Sequence, residues 1–355
     1  MIDFSEQLNP SQLEAVTNID GPVLVIAGAG SGKTRVIEYR VLYLLQNNVN
    51  PHSILLLTFT KRAAKEMLSR AGRHDIRCAG VEGGTFHSFA YKVLKKYSAL
   101  IGFNNFTVID ESDAEEAVHI ASSKCGVFNQ DKRFPKKDTL KSIISMCVNK
   151  NKPVEEILES EYPNFLDYAA DIEKIKQNYA RYKIEKGYMD YDDLLVYLRN
   201  LLARHKEITD ALSEKYKYVM VDEYQDTNLL QADIAYLLAK NNKNIMAVGD
   251  DAQSIYSFRG ASHENIMDFP KRFPGCKIIK LEENYRSSQT ILDVANAVLE
   301  DMRKKYPKHL IAVKRHTMQK PQLLFFNDIY EEAQWVASKI KEENDEGLAF
   351  CQQAV

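Results

Sequence analysis

The stretch Ala27-Gly28-Ala29-Gly30-Ser31-Gly32-Lys33-Thr34 decides how this chain folds. An apolar run over 22–26 precedes it and a helical pattern over 35–45 follows it, so the local order is strand, glycine-rich loop, helix. The glycines let backbone N–H groups converge, and the positive end of the helix adds to them, which makes a cradle for phosphate. In such a cradle Lys33 reaches the β- and γ-phosphates, and the Thr34 hydroxyl binds Mg²⁺.

One position departs from the strict phosphate-loop pattern, because Ala27 stands where the first glycine is expected. The alternative interpretation is a glycine-rich turn that only joins a strand to a helix. The strand before the loop and the helix after it favour phosphate binding, since this is the context in which the motif functions.

Composition indicates an ordinary globular protein. The 355 residues are 45% apolar and 27% charged, which is enough chain for two or three domains. The net charge of −2 excludes a general polycation, so any nucleic acid must bind in a local groove with stacking. The five cysteines are far apart, which disfavours a zinc site or a disulfide framework. With no leader pattern and no spanning apolar run, we expect a soluble cytoplasmic protein without membrane contact.

Two strand-to-helix junctions carry hydroxyl and aromatic side chains. Thr58, Phe59 and Thr60 end an apolar strand pattern over 53–60, and His87 and Ser88 lie in a similar junction over 84–89. The carboxyl ends of parallel strands bind ligands, and such side chains offer contacts to nucleic-acid phosphates and bases. The alternative for each junction is a capped helix start with a core phenylalanine, and without the other motifs that alternative is favoured.

A pair of carboxylates follows the next buried strand pattern, over 218–221. There Asp222 would hold Mg²⁺, and Glu223 would take a proton from the attacking water. The alternative, two solvent-facing loop acids, is disfavoured by the strand that precedes them.

Two later loops complete the candidate site. After a strand over 244–248, Gln253 could sense the γ-phosphate, while Tyr256 and Phe258 could present rings to bases or belong to the core. After a strand over 277–281, Arg286 is a candidate arginine finger and Tyr285 a ring that stacks on adenine.

Residues 90–189 have a different character, with amphipathic helices and polar links. The basic residues over 131–152 form either a solvated helical face, which we favour, or a patch for a nucleic-acid backbone. Beyond 286 the pattern predicts a helix over 289–304, a strand over 322–326, a helix around Trp335 and the start of a further strand at the C-terminal end.

The motifs of this chain, taken in order, resemble those of the Rep/UvrD/PcrA-like superfamily 1 DNA helicases, and the resemblance covers nearly the whole chain. The motifs are LNPSQ, AGAGSGKT, TFT, GTFHSF, DYDDLL, VDEYQDTN, VGDDAQSIYSFRGA and LEENYRS. The resemblance implies an α/β fold of P-loop NTPase (RecA-like) type, with a parallel sheet flanked by helices. It implies a first motor domain at 1–89 and 190–275, an inserted all-α subdomain at 90–189, and an incomplete second RecA-like domain at 276–355.

Motif matching then implies the site residues. Lys33, Asp222, Glu223, Gln253 and Arg286 would be catalytic, with Thr34 and Asp222 on the metal. The nucleotide-binding residues would be Gln12, Ala27, Gly28, Ala29, Gly30, Ser31, Gly32, Lys33, Thr34, Arg35 and Tyr285, with Gln12 and Tyr285 on adenine. The DNA-facing residues would be Thr58, Phe59, Thr60, His87, Ser88, Tyr256 and Phe258. Two positions depart from the family, because Phe258 stands where tryptophan is common and Lys61-Arg62 where Asn-Lys is usual.

We therefore expect an ATP- and Mg²⁺-dependent 3′-to-5′ DNA helicase or translocase, a monomer in this form. Its partners would be single-stranded DNA, junctions with duplex, and repair or replication proteins. The family's later motifs do not appear, so we expect an N-terminal fragment that binds ATP and single-stranded DNA but hydrolyses ATP slowly. The alternatives are the motor portion of a RecB- or AddA-like helicase–nuclease, or a non-catalytic nucleotide- and DNA-binding module. A metabolic kinase is disfavoured, because it has no use for the aromatic loops.

Overall fold

The computed structural model describes residues 2–126, 134–256, 260–313 and 320–355. The strands are β1 Val23–Ala27, β2 Ile54–Thr58, β3 Glu82–Thr85, β4 Thr107–Val108, β5 Tyr188–Met189, β6 Tyr218–Val221, β7 Ile245–Gly249, β8 Lys277–Leu281, β9 Glu283–Asn284 and β10 Ile311–Ala312. The helices are α1 Phe4–Gln7, α2 Pro10–Thr17, α3 Lys33–Gln46, α4 Lys61–Gly72, α5 Phe86–Lys96, α6 Glu111–Lys124, α7 Lys137–Lys150, α8 Val154–Glu161, α9 Ala169–Lys186, α10 Tyr191–Arg204, α11 Lys206–Lys215, α12 Leu229–Ala239, α13 His263–Met267, α14 Phe269–Arg272, α15 Gln289–Glu300 and α16 Ile329–Asp345.

A six-stranded sheet in the order β3-β2-β6-β7-β1-β8 forms the centre of the molecule. Each neighbouring pair in this sheet is parallel. The strand side chains alternate between two cores, so that Val23 and Val25 pack on the side of α2, α3 and α4. Leu24 and Ile26 pack on the side of α5, α10 and α12. A strand buried on both faces needs a continuous apolar run, which is the pattern that the sequence carries, and the predicted fold class is confirmed.

The parallel order places the functional loops together. β1, β2, β6 and β7 end at the same edge of the sheet, so the loops that follow them meet there. These loops are the phosphate loop, the Phe59 turn, the Asp222–Glu223 pair and the segment that carries Gln253.

Helices α6 to α9 pack around an apolar core of their own, which includes Val118, Ile143, Ile157 and Ile175. Strands β4 and β5 lie where the chain enters and leaves this group of helices, and they pair in parallel through Thr107 and Tyr188. Helix α5 runs across the predicted boundary at residue 89, from Phe86 to Lys96. The domain boundaries themselves stay predictions.

The basic stretch over 131–152 is largely neutralised by ion pairs. Lys137, Lys150 and Lys152 pair with glutamates at 2.6 to 3.3 Å. Lys141 is buried and pairs with Asp192 at 3.1 Å, so it serves packing and not a surface patch. Lys132 and Arg133 lie outside the described residues. The favoured interpretation, a solvated helical face, fits Lys137 and Lys152, whose side chains are exposed, but not the buried Lys141.

The segment beyond residue 276 begins inside the first sheet. Strand β8 is hydrogen-bonded to β1 through its whole length, from Lys277 opposite Val23 to Leu281 opposite Ala27. Helix α15 ends at Glu300, four residues before the predicted end.

The strand predicted over 322–326 is wrong. Leu323 and Phe325 are exposed, and the described residues offer this segment no strand to pair with. The further strand predicted to begin at 353–355 is also wrong, because the structure has no strand at these residues. Within residues 2–126, 134–256, 260–313 and 320–355, no helix is long and apolar enough to cross a membrane.

Candidate nucleotide and nucleic-acid sites

The phosphate loop is built from two left-handed glycines. Gly30 has φ 75° and Gly32 has φ 92°, a region that side chains rarely adopt. A Cβ on Gly32 would lie 2.7 Å from the Gln12 amide nitrogen, so a side chain here would also displace the Gln12 amide. The Ser31 hydroxyl donates to the Gly28 carbonyl at 2.7 Å and braces the turn. Ala27 is the last residue of β1, where extended backbone accepts a side chain, which explains why the departure from glycine is tolerated.

Three predicted catalytic side chains meet at one point. The Lys33 Nζ lies 3.3 Å from Glu223 Oε2 and 3.2 Å from Gln253 Oε1. These residues come from the ends of three different strands, β1, β6 and β7. Lys33 is the first residue of α3, where the helix end adds positive potential for phosphate.

Asp222 has the properties of a magnesium ligand. Its side chain is buried, and its Oδ1 has no hydrogen-bond partner within the described part of the chain. Burial and the charge of Glu223 raise the pKa of Asp222 to about 7. Thr34, Asp222, Glu223 and Gln253 line one cavity of about 680 Å³. The described residues form no cluster of three or more metal-ligating side chains. The buried Asp222 carboxylate and the Thr34 hydroxyl beside it in the cavity fit Mg²⁺, which is usually held by one or two carboxylates together with substrate phosphates.

Gln225 is a site residue that the sequence analysis missed. Its amide nitrogen donates to Glu223 Oε2 at 2.9 Å and to Asp226 Oδ2 at 3.3 Å. Its amide oxygen accepts the Asp250 N–H at 3.0 Å. Glu223 itself has φ 48°, a left-handed conformation that needs support from its surroundings. Gln225 fixes the carboxylate of Glu223 and ties it to the loop that carries Gln253.

The predicted adenine residues lie together beside the phosphate loop. The Gln12 side chain accepts the Asn9 N–H at 3.3 Å and donates to the Ser31 carbonyl at 3.0 Å. The Tyr285 hydroxyl donates to Glu283 at 2.7 Å and accepts from Asn9 at 2.9 Å. Arg35 donates to the Gln7 carbonyl at 2.7 Å. The structure brings these side chains to one side of the loop, and their contact with adenine stays a prediction.

Arg286 is held over the phosphate loop by its neighbours. The Tyr285 N–H donates to the Gly30 carbonyl at 3.0 Å, and Asn284 donates to the Ala29 carbonyl at 2.5 Å. Asn284 also accepts the Arg286 N–H at 2.9 Å. A buried asparagine inside a strand gives no signal of this role in the sequence, and Asn284 was missed.

Five of the seven predicted DNA-facing residues line two adjoining cavities, which we call the aromatic groove: Phe59, Thr60, His87, Ser88 and Tyr256. The two cavities have volumes of about 530 and 1020 Å³, and both are lined by Phe59 and His87. The Phe59 and Tyr256 rings stack with centroids 5.4 Å apart and an interplanar angle of 27°, and Phe59 is 42% exposed. Burial lowers the pKa of His87, although the charge of Asp192 opposes the shift. A largely neutral imidazole beside exposed rings suits base contact more than phosphate contact.

Two hydroxyl residues of the groove also build its helices. The Thr60 hydroxyl caps α4 by accepting the Ala63 N–H at 3.1 Å. The Ser88 hydroxyl accepts the Thr85 N–H at 2.9 Å in a capping box at the start of α5. Both junctions therefore begin capped helices, as the alternative holds. Only the second has core phenylalanines, because Phe86 and Phe89 are buried while Phe59 is exposed. Thr60 and Ser88 both still line the larger cavity.

Thr58 requires a correction. It is 1% exposed, and its hydroxyl donates to the Thr60 carbonyl at 2.7 Å. The side chain lies beneath the groove and braces the turn, so the predicted DNA contact from Thr58 is wrong for this structure. Phe258 lies outside the described residues.

Residues 8–274 match the UvrD/REP helicase N-terminal domain, and residues 279–355 match the UvrD-like helicase C-terminal domain. The chain belongs to the UvrD/REP helicase family. It is similar to a probable DNA helicase II homolog of Rickettsia conorii, with 37% identity over 95% of this chain and 51% of that protein. It is also similar to the ATP-dependent DNA helicase PcrA of Staphylococcus epidermidis, with 34% identity over 99% of this chain and 48% of that protein. The chain spans about half the length of the curated relatives it matches.

The part that matches the UvrD-like C-terminal domain reaches back onto the nucleotide site. The side chain of Lys308 is buried and forms ion pairs with Asp250 and Asp251, just before Gln253. The Tyr306 N–H donates to Asp251 at 2.8 Å. A Cβ on Gly28 would lie 2.5 Å from Leu310, which therefore packs on the phosphate loop. These contacts join distant parts of the chain, and nothing in the local sequence around Lys308 signals them.

The inserted helices reach the carboxylate loop from the other side. Asn149 of α7 donates to Asp192 at 2.9 Å and accepts from Asn228 at 2.7 Å. Asn228 caps α12, a few residues after Glu223. Burial opposes the ionisation of nearby Asp190, but Lys183 and Lys141 outweigh it and hold its pKa below the usual range. This polar junction lines the smaller cavity of the groove.

Proposed function

We propose that this chain is the ATP-driven motor part of a DNA helicase or translocase that moves 3′ to 5′ on single-stranded DNA. One observation carries the proposal. The single segment from Asp250 to Tyr256 brings Gln253 to 3.2 Å from Lys33 and stacks Tyr256 on Phe59 at 5.4 Å. A segment with one end in a phosphate site and the other in an aromatic groove can couple hydrolysis to movement on a strand.

Each side chain has a definite task in this proposal. Lys33 and Arg286 offset the phosphate charge that spreads over the transition state. Glu223, positioned by Gln225, receives the proton of the attacking water. Thr34 and Asp222 hold Mg²⁺, which supplies further charge neutralisation when it is bound. Gln253 reports the phosphate state to Tyr256.

The aromatic groove takes the DNA strand in a sequence-neutral way. Phe59 and Tyr256 offer stacking faces, which suit any base because every base has a π-face. Thr60, His87 and Ser88 line the wall beside them. Junctions with duplex, and proteins of repair or replication, stay predicted partners, and cytoplasmic location and a monomeric state also stay predictions.

The test is Mg·ATP hydrolysis with and without oligothymidylate, in the parent and in Glu223→Gln. We expect the variant to bind nucleotide normally and to lose about a hundredfold in rate, because it cannot accept the proton. Glu156→Gln is the matched control, since Glu156 lies on α8 in an exposed pair with Lys152. Equal rates in Glu223→Gln and the parent would reject the mechanism and favour the non-catalytic module.

Two finer claims need separate readouts. The slow hydrolysis predicted for this chain is tested by the parent rate itself, and rapid DNA-stimulated turnover would reject it. Direction is tested by displacement of streptavidin from biotinylated oligonucleotides. Movement 3′ to 5′ displaces it from the 5′ end, and displacement from the 3′ end alone would reject the proposed polarity.

A further inference from the structure

Helix α4 has one face on which the charged side chains are ion-paired and another face on which the cations are unpaired. On the face toward the nucleotide cavity, Arg70 pairs with Glu66 and lies 3.6 Å from Glu38. On the other face, the exposed side chains of Lys61, Lys65 and Arg73 form no ion pair or hydrogen bond with any residue that the structure describes. Three unpaired cations on one helix face contrast with the paired lysines of the inserted helices.

These cations border a further cavity, in which Ser88 is the one lining residue with a predicted role. The cavity has a volume of about 790 Å³ and lies between α4 and the edge strand β3. Lys61, Lys65 and Arg73 line it, and Leu68 and Val81 add apolar surface. From Lys61 to Arg73 the helix rises roughly 18 Å, enough for several successive phosphates.

This cavity adjoins the aromatic groove. Lys61 and Ser88 line both this cavity and the larger cavity of the groove. A strand that leaves the stacked rings past Thr60 therefore meets Lys61 first and then Lys65. Lys61 is also a departure from the family motif, which usually has an uncharged asparagine at this position.

We propose that the cavity beside α4 is an additional binding site for single-stranded DNA, in which Lys61, Lys65 and Arg73 contact the phosphate backbone. The inference rests on the proposed function, because it extends the aromatic groove. Phosphates are the fitting occupant, since three unpaired cations line the cavity and none of its lining side chains is aromatic. The site lengthens the stretch of DNA that the chain holds and makes binding more dependent on salt.

The test measures binding of oligothymidylates from about six to about twenty nucleotides at several salt concentrations. The triple variant Lys61→Met, Lys65→Met, Arg73→Met removes the charges from exposed positions. We expect unchanged affinity for the shortest oligomers and roughly tenfold weaker binding of the longest at low salt. We also expect the slope of log K against log[salt] to become shallower by about 2, because each phosphate contact to a single strand contributes about 0.7.

The matched control removes three lysines that are ion-paired on the inserted helices, with Lys137→Met, Lys150→Met and Lys152→Met. It changes the net charge equally, so a parent-like slope in this control shows that the effect is local. The charge-preserving variant Lys65→Arg should keep the parent slope. Equal loss of slope in the control and in the α4 variant would overturn the proposal.

The outcomes separate this inference from the proposed function. If Phe59→Ala weakens every oligomer while the α4 variant binds all lengths like the parent, the groove stands and the additional site is rejected. If the parent binds no oligomer of any length, the proposed function fails as well. A polyglutamate peptide that binds the parent but not the α4 variant, without any length effect on DNA, would also overturn the proposal.

Discussion

The nucleotide site and the aromatic groove lie at the same edge of one sheet, yet they are built in opposite ways. The nucleotide site consists of buried polar groups that already hold one another, such as Gln225 with Glu223 and Gln12 with Ser31. The groove consists of exposed rings and of hydroxyls used for capping. Hydrolysis needs atoms fixed to within a fraction of an ångström, whereas a sequence-neutral strand needs only surfaces to stack on.

The largest expected effect is on nucleotide binding alone. Lys33→Ala removes the cation that lies between Glu223 and Gln253. We expect at least about a hundredfold weaker binding of Mg·ATP, roughly 3 kcal/mol, because a charge-assisted contact to phosphate is lost. A fluorescent nucleotide measures it, with exposed Lys240→Ala as the control. An equal loss of oligothymidylate affinity would contradict the separation of the two regions.

Gln225→Met tests whether the preset geometry of the nucleotide site matters. The variant keeps the bulk of the side chain and removes the donor to Glu223. We expect kcat to fall ten- to a hundredfold while KM for ATP changes little, because a hydrogen bond to a charged group contributes roughly 1.5–3 kcal/mol. Single-turnover hydrolysis makes the comparison. A rise in KM with unchanged kcat would show that Gln225 serves substrate binding and not the base.

Phe59→Ala is the converse of Lys33→Ala, because it changes the aromatic groove and leaves the nucleotide site intact. Loss of the ring removes one stacking face and the partner of Tyr256. We expect about tenfold weaker binding of oligothymidylate, since one base stack contributes about 1–3 kcal/mol. Nucleotide affinity in the absence of DNA should stay at the parent value. Phe59→Tyr should restore DNA binding, and failure to do so would argue against stacking.

The smallest expected effect concerns a buried acid behind the nucleotide site. Burial raises the pKa of Glu38 to about 7, against the opposing charge of Arg70. The folded state therefore holds a proton that the unfolded state releases near pH 4.5, so stability falls as pH rises from about 4.5 to about 7. We expect Glu38→Gln to gain about 1 kcal/mol over the parent across that range, measured by urea unfolding. A constant difference at every pH would contradict the raised pKa.

The sequence predicted the sheet and the phosphate site because both depend on local signals. Buried runs such as Ile54–Thr58 mark strands, and Gly30 and Gly32 mark a turn that only glycine allows. The observed ends of the strands in the central sheet differ from the predicted ends by only one or two residues. Lys33, Glu223 and Gln253 were predicted from motifs, and the fold then brought them together.

The missed residues depend on contacts between distant segments. Gln225, Asn284 and Lys308 bind across loops that are far apart in sequence, and no periodicity reports such contacts. Thr58 was misjudged for a related reason, because its type suited a DNA contact while its position in β2 buried it. The segment over 322–326 has a strand composition, but a strand forms only where a neighbour pairs with it.

The most direct test of the account measures the link between the two regions. The affinity for a non-hydrolysable Mg·ATP analogue is compared with and without saturating oligothymidylate, in the parent and in Phe59→Ala. If the segment from Asp250 to Tyr256 couples the sites, DNA changes nucleotide affinity by roughly fivefold or more in the parent, and nucleotide changes DNA affinity by the same factor. Phe59→Ala should reduce that coupling. Two affinities that are each measurable but independent of one another would contradict the central claim.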